Sequence, residues 1–427
     1  MPAAGTSSTP SNYRILDTDT VAGFIGSLPE IRCRLGGAPQ TWRVKEVGDG
    51  NLNLVFIVQG AEGAVCVKQA LPYVRAAGTS WPMTLERAFF EASYYAALAP
   101  WVGGRIPRIH HYDPELYCTV MEYLSPHIIL RQGLIAGRRY PKVARDIGEY
   151  IARASFFTSD FARPFEHKLD GVALFARNKE LIRITVELVF CDPYRSNDRN
   201  RHTSPQLDAI VADLRKDGAL KVAAAHFGQK FLGQVQALVH GDLHSGSVMV
   251  TEGDTRVIDP EFAFYGPIGF DLGAFLGNLL LAWYAQPGHA TQGDDRIAYQ
   301  HWILEQARDF WESFASCYRA LWAAHAGGDV LSVSMFAHPE EATTLESARS
   351  AFVDGLFADM LGFAACKMIR RIVGFAHVID FERIADPAER ARCEAGALAM
   401  ARTLLCNPAQ FRSIQYDIDA VPHMARH

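Results

Sequence analysis

The dominant spacing of the apolar residues shifts near residue 123 of this chain, and that shift limits the folds open to it. Ahead of Met121 the apolar residues fall in short runs, at 42–47, 52–59 and 64–69, the last with Val65 and Val67 alternating. Alternation puts one face of each run into a core, so these are expected strands. The first two flank the turn-forming Gly48-Asp49-Gly50-Asn51. Leu85, Ala88, Phe89, Ala92 and Tyr95 then recur at helical spacing within 84–99, and 116–121 is strand-like again. Beyond Tyr123 helical patterns dominate to the end, broken by polar loops at 192–205 and 286–296. The exception is 237–259, which reads as short strands separated by loops. Strands first and helices after give an α+β class. We expect a bilobal architecture: a disordered Ala/Ser/Thr/Pro-rich arm at 1–12, a small β-rich lobe at 13–124, and a larger helical lobe at 125–427.

Composition excludes more than it selects. The 427 residues allow two or three packing units. Lys plus Arg number 42 and Asp plus Glu 47, a net charge of −5 that offers no basic field for nucleic acid. The eight cysteines (33, 66, 118, 191, 317, 366, 393 and 406) are scattered without CxxC pairs, so reduced thiols are expected and a zinc site is not. The N-terminus lacks a basic start and apolar core, which argues against a secretory signal. The most apolar long segment, 272–285, is shorter than the roughly 20 residues a bilayer span needs. It contains Asn278, and a buried core helix is the expectation. A cytoplasmic protein without membrane or nucleic-acid partners follows from these points.

The chemistry is concentrated in two acidic motifs. The first is His240-Gly241-Asp242-Leu243-His244-Ser245-Gly246-Ser247. The second is Val257-Ile258-Asp259-Pro260-Glu261. Each acid follows a short apolar run, and the residues between them read as a tight hairpin through Glu252-Gly253-Asp254. One carboxylate of such a set can orient and deprotonate an attacking hydroxyl, while the others hold Mg²⁺ against nucleotide phosphates. His240 and His244, four apart, are poor metal-ligand candidates: the segment is loop-like and no third nitrogen or sulfur ligand is near. Their expected task is to bond the backbone and fix the loop, with Asp271 in a similar task or capping the helix that begins near Leu272.

The first motif resembles the catalytic loop of the kinase-like phosphotransferases, the group that contains aminoglycoside and choline kinases. In that group a metal-binding Asn follows the loop aspartate by five residues. Here the position is Ser247, which shifts the expected metal ligation toward Asp259 and Glu261. The departures, together with the run from Asp259 to Asp271 (Asp-Pro-Glu-Phe-Ala-Phe-Tyr-Gly-Pro-Ile-Gly-Phe-Asp), are similar to the S-methyl-5-thioribose kinase family. The similarity extends from about Tyr13 to Gln415. It implies a protein-kinase-like fold, ATP and Mg²⁺ as cofactors, S-methyl-5-thioribose as the acceptor, a place in methionine salvage, and a homodimer, although no residue pattern marks an interface.

Several other positions fit the same machinery. The Gly48–Asn53 turn lets backbone N–H groups approach phosphates, and the resemblance implies that it covers the nucleotide with Asn51 or Asn53 in contact; Gly48 and Gly50 supply the flexibility. Lys68, on the alternating strand, can reach the α- and β-phosphates as a point charge. Its partner is expected on the following helix, either Glu91, the first choice, or Glu86. The resemblance brings Trp81, in a Trp-Pro loop, toward the nucleotide or substrate. Backbone groups of Glu122, Tyr123 and Leu124 are expected to meet the adenine edge. On a long apolar helix, Lys367, Arg370, Arg371 and Gly374 share one face. The family uses paired arginines there, so Arg370 and Arg371 are expected to bind substrate and stabilise the transferring phosphoryl group. Asp242 is the expected base and substrate contact. Two other readings stay open from sequence: a kinase of the same fold acting on an aminoglycoside, choline or homoserine, and a non-catalytic nucleotide-binding scaffold.

Overall fold

The computed structural model describes residues 10–48, 52–75, 78–325, 327–407 and 411. By its contacts the chain forms two units. The first spans 1–127 and takes back 258–263, and the second holds the rest. A single break after residue 124 had assigned 258–263 to the helical part. Those residues join the first unit because buried cations on two of its elements hold the acids at 259 and 261. Of the expected arm, 1–9 lies outside the described residues.

The first unit is built on a five-stranded antiparallel sheet in the order β1-β2-β3-β5-β4. Its strands are β1 (Arg43–Glu46), β2 (Asn53–Gln59), β3 (Ala64–Ala70), β4 (Ile109–Asp113) and β5 (Cys118–Glu122). Val55, Lys68 and Thr119 lie side by side across the three central strands. Two short helices, α1 (Thr20–Gly26) and α2 (Pro29–Leu35), were not foreseen, nor was β4. Each is too short for a periodic signal to emerge. Yet α1 has a legible start, where Asp17 Oδ1 accepts the N–H groups of Asp19 and Thr20 at 3.0 and 2.8 Å. Its Val21, Phe24 and Ile25 join the core formed by Phe56, Val58, Val65, Val67 and Val120. The expected helix over 84–99 is α3 (Arg87–Leu98).

The second unit is mostly helical. In chain order it contains β6 (Ile128–Ile129), α4 (Leu130–Ile135), α5 (Val143–Phe156), α6 (Phe165–Phe175), α7 (Lys179–Thr185), α8 (Asp208–Lys216) and α9 (Gly218–Gly233). There follow β7 (Ala237–Val239), β8 (Val248–Val250), β9 (Thr255–Val257) and β10 (Phe264–Gly266). The chain continues as α10 (Ile268–Ala285), α11 (Ile297–Ala324), α12 (Ala342–Val373), α13 (Ile379–Glu382) and α14 (Pro387–Cys406). The short strands pair as β10-β7 and β6-β8-β9, with β8 and β9 forming the expected hairpin.

Helix α10 is the centre of this unit, and every one of its residues is buried. With the turn after it, the helix reaches His289 and is long and apolar enough to cross a membrane. It is longer than the 272–285 segment taken from sequence, so burial rather than length identifies it as a core helix. Gly269, Gly273 and Gly277, four residues apart, line its contact with α12. A Cβ on Gly273 would lie 2.6 Å from the Ala364 nitrogen and 2.7 Å from the Met360 oxygen. Ala gains up to about 1 kcal/mol over Gly inside a helix, but here it meets backbone that cannot yield. Gly273→Ala is therefore expected to lower unfolding free energy by about 1–3 kcal/mol, read as a fall in urea midpoint with the m-value unchanged.

Candidate active site

The first unit gathers a charged cluster at the centre of its sheet. Lys68 projects from the middle of β3 with its side chain only 8% exposed, and its Nζ lies 2.8 Å from Glu91 Oε2. It also pairs with Asp259. Glu86 instead stands just before α3, where its N–H donates to Thr84 Oγ1 at 3.2 Å. One turn before Glu91, Arg87 is fully buried. It donates to the carbonyls of Leu52 and Leu71 and reaches Glu261 at 3.3 Å. Asn53 links the same pair: its Nδ2 donates to Glu261 Oε2 at 3.0 Å and its Oδ1 accepts from Arg87 Nη2 at 3.0 Å. The Asn53 amide is thus committed to holding Glu261. Asp259 sits at φ +66, in the left-handed region, with its N–H donating to Tyr95 Oη at 3.1 Å. That strained turn aims Asp259 and Glu261 at two different cations.

The charges here do not balance. Glu91, Asp259 and Glu261 supply three carboxylates against Lys68 and Arg87. Burial, with Asp259 and Glu261 adding to it, pushes the Glu91 carboxyl up to about 7 even beside Lys68. The Lys68 ammonium is penalised by burial but surrounded by carboxylates, which raise it above its ordinary value and keep it charged. An excess carboxylate, with the Asp259 side chain 46% exposed, fits a divalent cation that takes one or two carboxylates and fills its remaining positions with phosphate oxygens and water. No group of three or more His, Cys, Asp or Glu residues stands ready to hold a metal by itself among the described residues.

The other expected nucleotide positions are placed less decisively. Gly48 opens the turn after β1, with open space where a Cβ would go. Gly50 and Asn51 lie outside the described residues. Trp81 is half-buried in the loop between β3 and α3, its carbonyl accepting the Val74 N–H at 2.9 Å. Glu122 ends β5, Tyr123 is exposed and Leu124 is buried.

The second unit holds the Asp242 loop between β7 and β8. Gly241 adopts φ +83, a conformation that favours glycine. The Asp271 carboxylate, in the first turn of α10, accepts the His240 and Gly241 N–H groups at 2.6 and 3.0 Å. Burial pushes its carboxyl upward, against these bonds. Both histidines serve the backbone as expected: His240 Nδ1 accepts the Asp242 N–H at 3.2 Å, and His244 Nδ1 accepts the Gly246 N–H at 3.0 Å. The Ser247 hydroxyl donates inward to the Asp242 carbonyl at 3.0 Å, so it closes the loop. Asp271→Asn would turn an NH₂ toward a donor, and a loss of about 1–3 kcal/mol in unfolding free energy is expected from urea titration.

Asp242 Oδ1 lies 2.9 Å from Lys367 Nζ, and Oδ2 lies 3.4 Å from His244 Nε2. Burial alone would lift the Asp242 carboxyl. Lys367, His244, Arg371 and Arg370 outweigh it and hold the group well below the usual carboxylate range. Burial drives the His244 ring well below its ordinary value, so its Nε2 carries the proton and faces Asp242. Arg370 and Arg371 follow Lys367 on α12. Arg371 Nη1 donates to the Ala376 carbonyl at 3.0 Å, whereas Arg371 Nε and Arg370 Nε and Nη1 are buried without a hydrogen-bond partner among the described residues. Guanidinium stays charged in proteins, so these orphaned donors are a ready receptor for anionic oxygens.

One residue in each unit's cluster escaped sequence reasoning. Arg131, on α4, donates to Ser245 Oγ at 3.1 Å and Asn278 Oδ1 at 3.0 Å and pairs with Asp380 at 3.4 Å. Nothing local marks it, because its partners lie more than a hundred residues away. Arg87 was read only as part of a helix. Its signal was its place one helical turn before Glu91, on the same face.

The phosphotransferase enzyme family model matches residues 43–311. A methylthioribose kinase of Escherichia coli O45:K1 (strain S88 / ExPEC) is 45% identical over 410 residues, which cover 96% of this chain and 97% of that protein. The chain belongs to the methylthioribose kinase family. Methylthioribose kinases 1 and 2 of Oryza sativa subsp. japonica are 46% and 44% identical over 405 and 421 residues. These alignments cover 94% and 97% of both chains in each pair. A solved glucosamine kinase in complex with glucosamine, ADP and inorganic phosphate is 15% identical over 93% of this chain and 88% of its own, with a TM-score of 0.46. As a member of the methylthioribose kinase family this chain is a phosphotransferase.

Proposed function

We propose that this chain transfers the γ-phosphoryl group of ATP to the 1-hydroxyl of S-methyl-5-thio-D-ribose, giving S-methyl-5-thio-α-D-ribose 1-phosphate and ADP in methionine salvage. The observation that carries the reading is the near-complete alignment with methylthioribose kinases at 44–46% identity. In this reading the acceptor hydroxyl meets Asp242, which orients it and takes its proton. Lys68, oriented by Glu91, holds the nucleotide phosphates. The unpartnered donors of Arg370 and Arg371 neutralise charge on the transferring group, and Trp81, Gly48 and the backbone at Glu122–Leu124 enclose the nucleotide. Asp259 and Glu261 hold Mg²⁺, which when bound neutralises phosphate charge. Catalysis then comes mainly from positioning and preorganised electrostatics. A cytoplasmic homodimer belongs to the same reading, and sedimentation velocity would report the dimer.

The direct test is incubation of the purified protein with ATP, Mg²⁺ and methylthioribose, with the product's phosphate position read by ³¹P and ¹H NMR. Transfer to choline, glucosamine or an aminoglycoside, but not to methylthioribose, would overturn the acceptor. For the metal ligands, Asp259→Asn is expected to raise the Mg²⁺ concentration for half-maximal turnover by at least about tenfold. The Mg²⁺-dependent part of the ATP-induced thermal shift is expected to shrink with it.

A further inference from the structure

The three cations on one stripe of α12 have unequal surroundings. Arg370 and Arg371 keep buried donors without a hydrogen-bond partner among the described residues. Lys367 is committed: its side chain is 5% exposed, its Nζ lies 2.9 Å from Asp242 Oδ1, and the same ammonium sits 4.5 Å from the centre of the Phe270 ring. Phe270 adjoins Asp271, the residue that holds the Asp242 loop. The ammonium is therefore fixed from both sides, by a carboxylate and by an aromatic face on α10. A buried ion pair seldom stabilises a fold better than apolar residues of similar size. Its value here lies in what it does to the carboxylate.

We propose that Lys367 is a positioning residue for phosphoryl transfer: by binding Asp242 Oδ1 it fixes the carboxylate rotamer and leaves Oδ2 for the acceptor hydroxyl. This rests on the reading of Asp242 as the base. With Oδ1 held by an ammonium, Oδ2 pairs with His244 Nε2 at the loose distance of 3.4 Å, and a hydroxyl that donates there meets no stronger ion pair among the described residues. Lys367 also sets the charge of the base. The other groups that act on Asp242 are Arg370 and Arg371 on α12 and His244 on the loop itself. Arg131 on α4 acts on His244 and on both arginines, and Asp380 acts on Arg371. Among these, Lys367 alone makes a hydrogen-bonded ion pair with the carboxylate. The stripe therefore divides its tasks: its first cation serves the base and the next two face the phosphoryl group.

The test compares Lys367→Met, which keeps length and apolar contacts, with Lys367→Arg. Lys367→Met is expected to lower kcat about 10²-fold, with KM for methylthioribose within about threefold and ATP affinity unchanged. Removing a cation within hydrogen-bond distance raises a carboxyl by about one unit or more, so the acid limb of its kcat–pH profile moves to higher pH by that much. Lys367→Arg is expected to restore most of the rate and the acid limb. The ¹³C titration of the Asp242 carboxyl in the free protein needs no substrate and is expected to shift upward in Lys367→Met alone. An unmoved carboxyl titration and acid limb, or a loss confined to KM, would overturn the proposal. So would equal losses in both variants that track a fall in melting temperature. Wild-type protein that fails to phosphorylate methylthioribose but shows the carboxyl shift between wild type and Lys367→Met would instead remove the acceptor reading and retain the Lys367–Asp242 coupling.

Discussion

Asp242→Asn is expected to lower kcat about 10³-fold while ATP affinity, measured by isothermal titration with Mg²⁺, stays within a factor of about three. The amide cannot take a proton. Its NH₂ would either face the Lys367 ammonium 2.9 Å from Oδ1, which is repulsive, or turn toward the acceptor, which removes the needed lone pair. The nucleotide should be indifferent, because Lys68, Glu91, Asp259 and Glu261 all belong to the other unit. The wild-type rate should also persist into acid. Asp242 is held well below the usual carboxylate range, so it remains ionised as pH falls through that range. A wild-type acid limb at the ordinary carboxylate value would contradict the electrostatic picture, and near-normal turnover in Asp242→Asn would remove the base altogether.

The second large effect is expected at Lys68. Lys68→Met should lower kcat/KM for ATP by about 10²–10³-fold, and it should also cost stability. Stripping one member from a buried pair leaves an uncompensated charge, with a penalty of about 3–5 kcal/mol. Glu91, with a side chain only 3% exposed, is that charge. It has an escape, since its carboxyl already stands at about 7 through burial and its carboxylate neighbours, and loss of Lys68 moves it higher still. The folded state then holds a proton that the unfolded chain, titrating near ~4.3, releases. Stability of Lys68→Met should accordingly decline as pH rises through that window. Urea midpoints at pH 5.5 and pH 8 test the sign, and a variant more stable at pH 8 would show that Glu91 is not the stranded group.

In both units the candidate residues that were legible in sequence are the ones with short-range chemistry. Gly241 beside Asp242, the Asp259-Pro260-Glu261 turn and Lys68 on an alternating strand each carry a local reason for their residue types. The helix stripe at 367–371 was visible too, but its division of tasks was not. That Lys367 pairs with Asp242 depends on α10 and α12 approaching through Gly269, Gly273 and Gly277, a packing fact that no window of sequence contains. Arg87 was hidden for a similar reason, because its carboxylate partner lies 174 positions further along the chain (261 − 87). Ser247 was correctly noticed as a departure. Its hydroxyl turns into the loop because it has a carbonyl to meet at 3.0 Å. In the first unit, α1, α2 and β4 are too brief for periodicity to rise above chance, and tertiary contact with the sheet decides them.

The return of residues 258–263 to the first unit has a consequence for how the protein is made. During synthesis the first 127 residues, Lys68 and Arg87 among them, are made while Asp259 and Glu261 are still untranslated. About 130 further residues must be added before those acids arrive, roughly 7–26 s at 5–20 residues per second. For that interval the Arg87 guanidinium, which in the folded protein also donates to carbonyl groups and the Asn53 amide, is without the Glu261 carboxylate. Completion of the N-terminal unit is therefore gated by elongation through the β8–β9 hairpin. A ribosome-stalled chain ending before residue 258 should remain protease-sensitive across 43–122, and one extended far enough to expose 263 outside the exit tunnel should not.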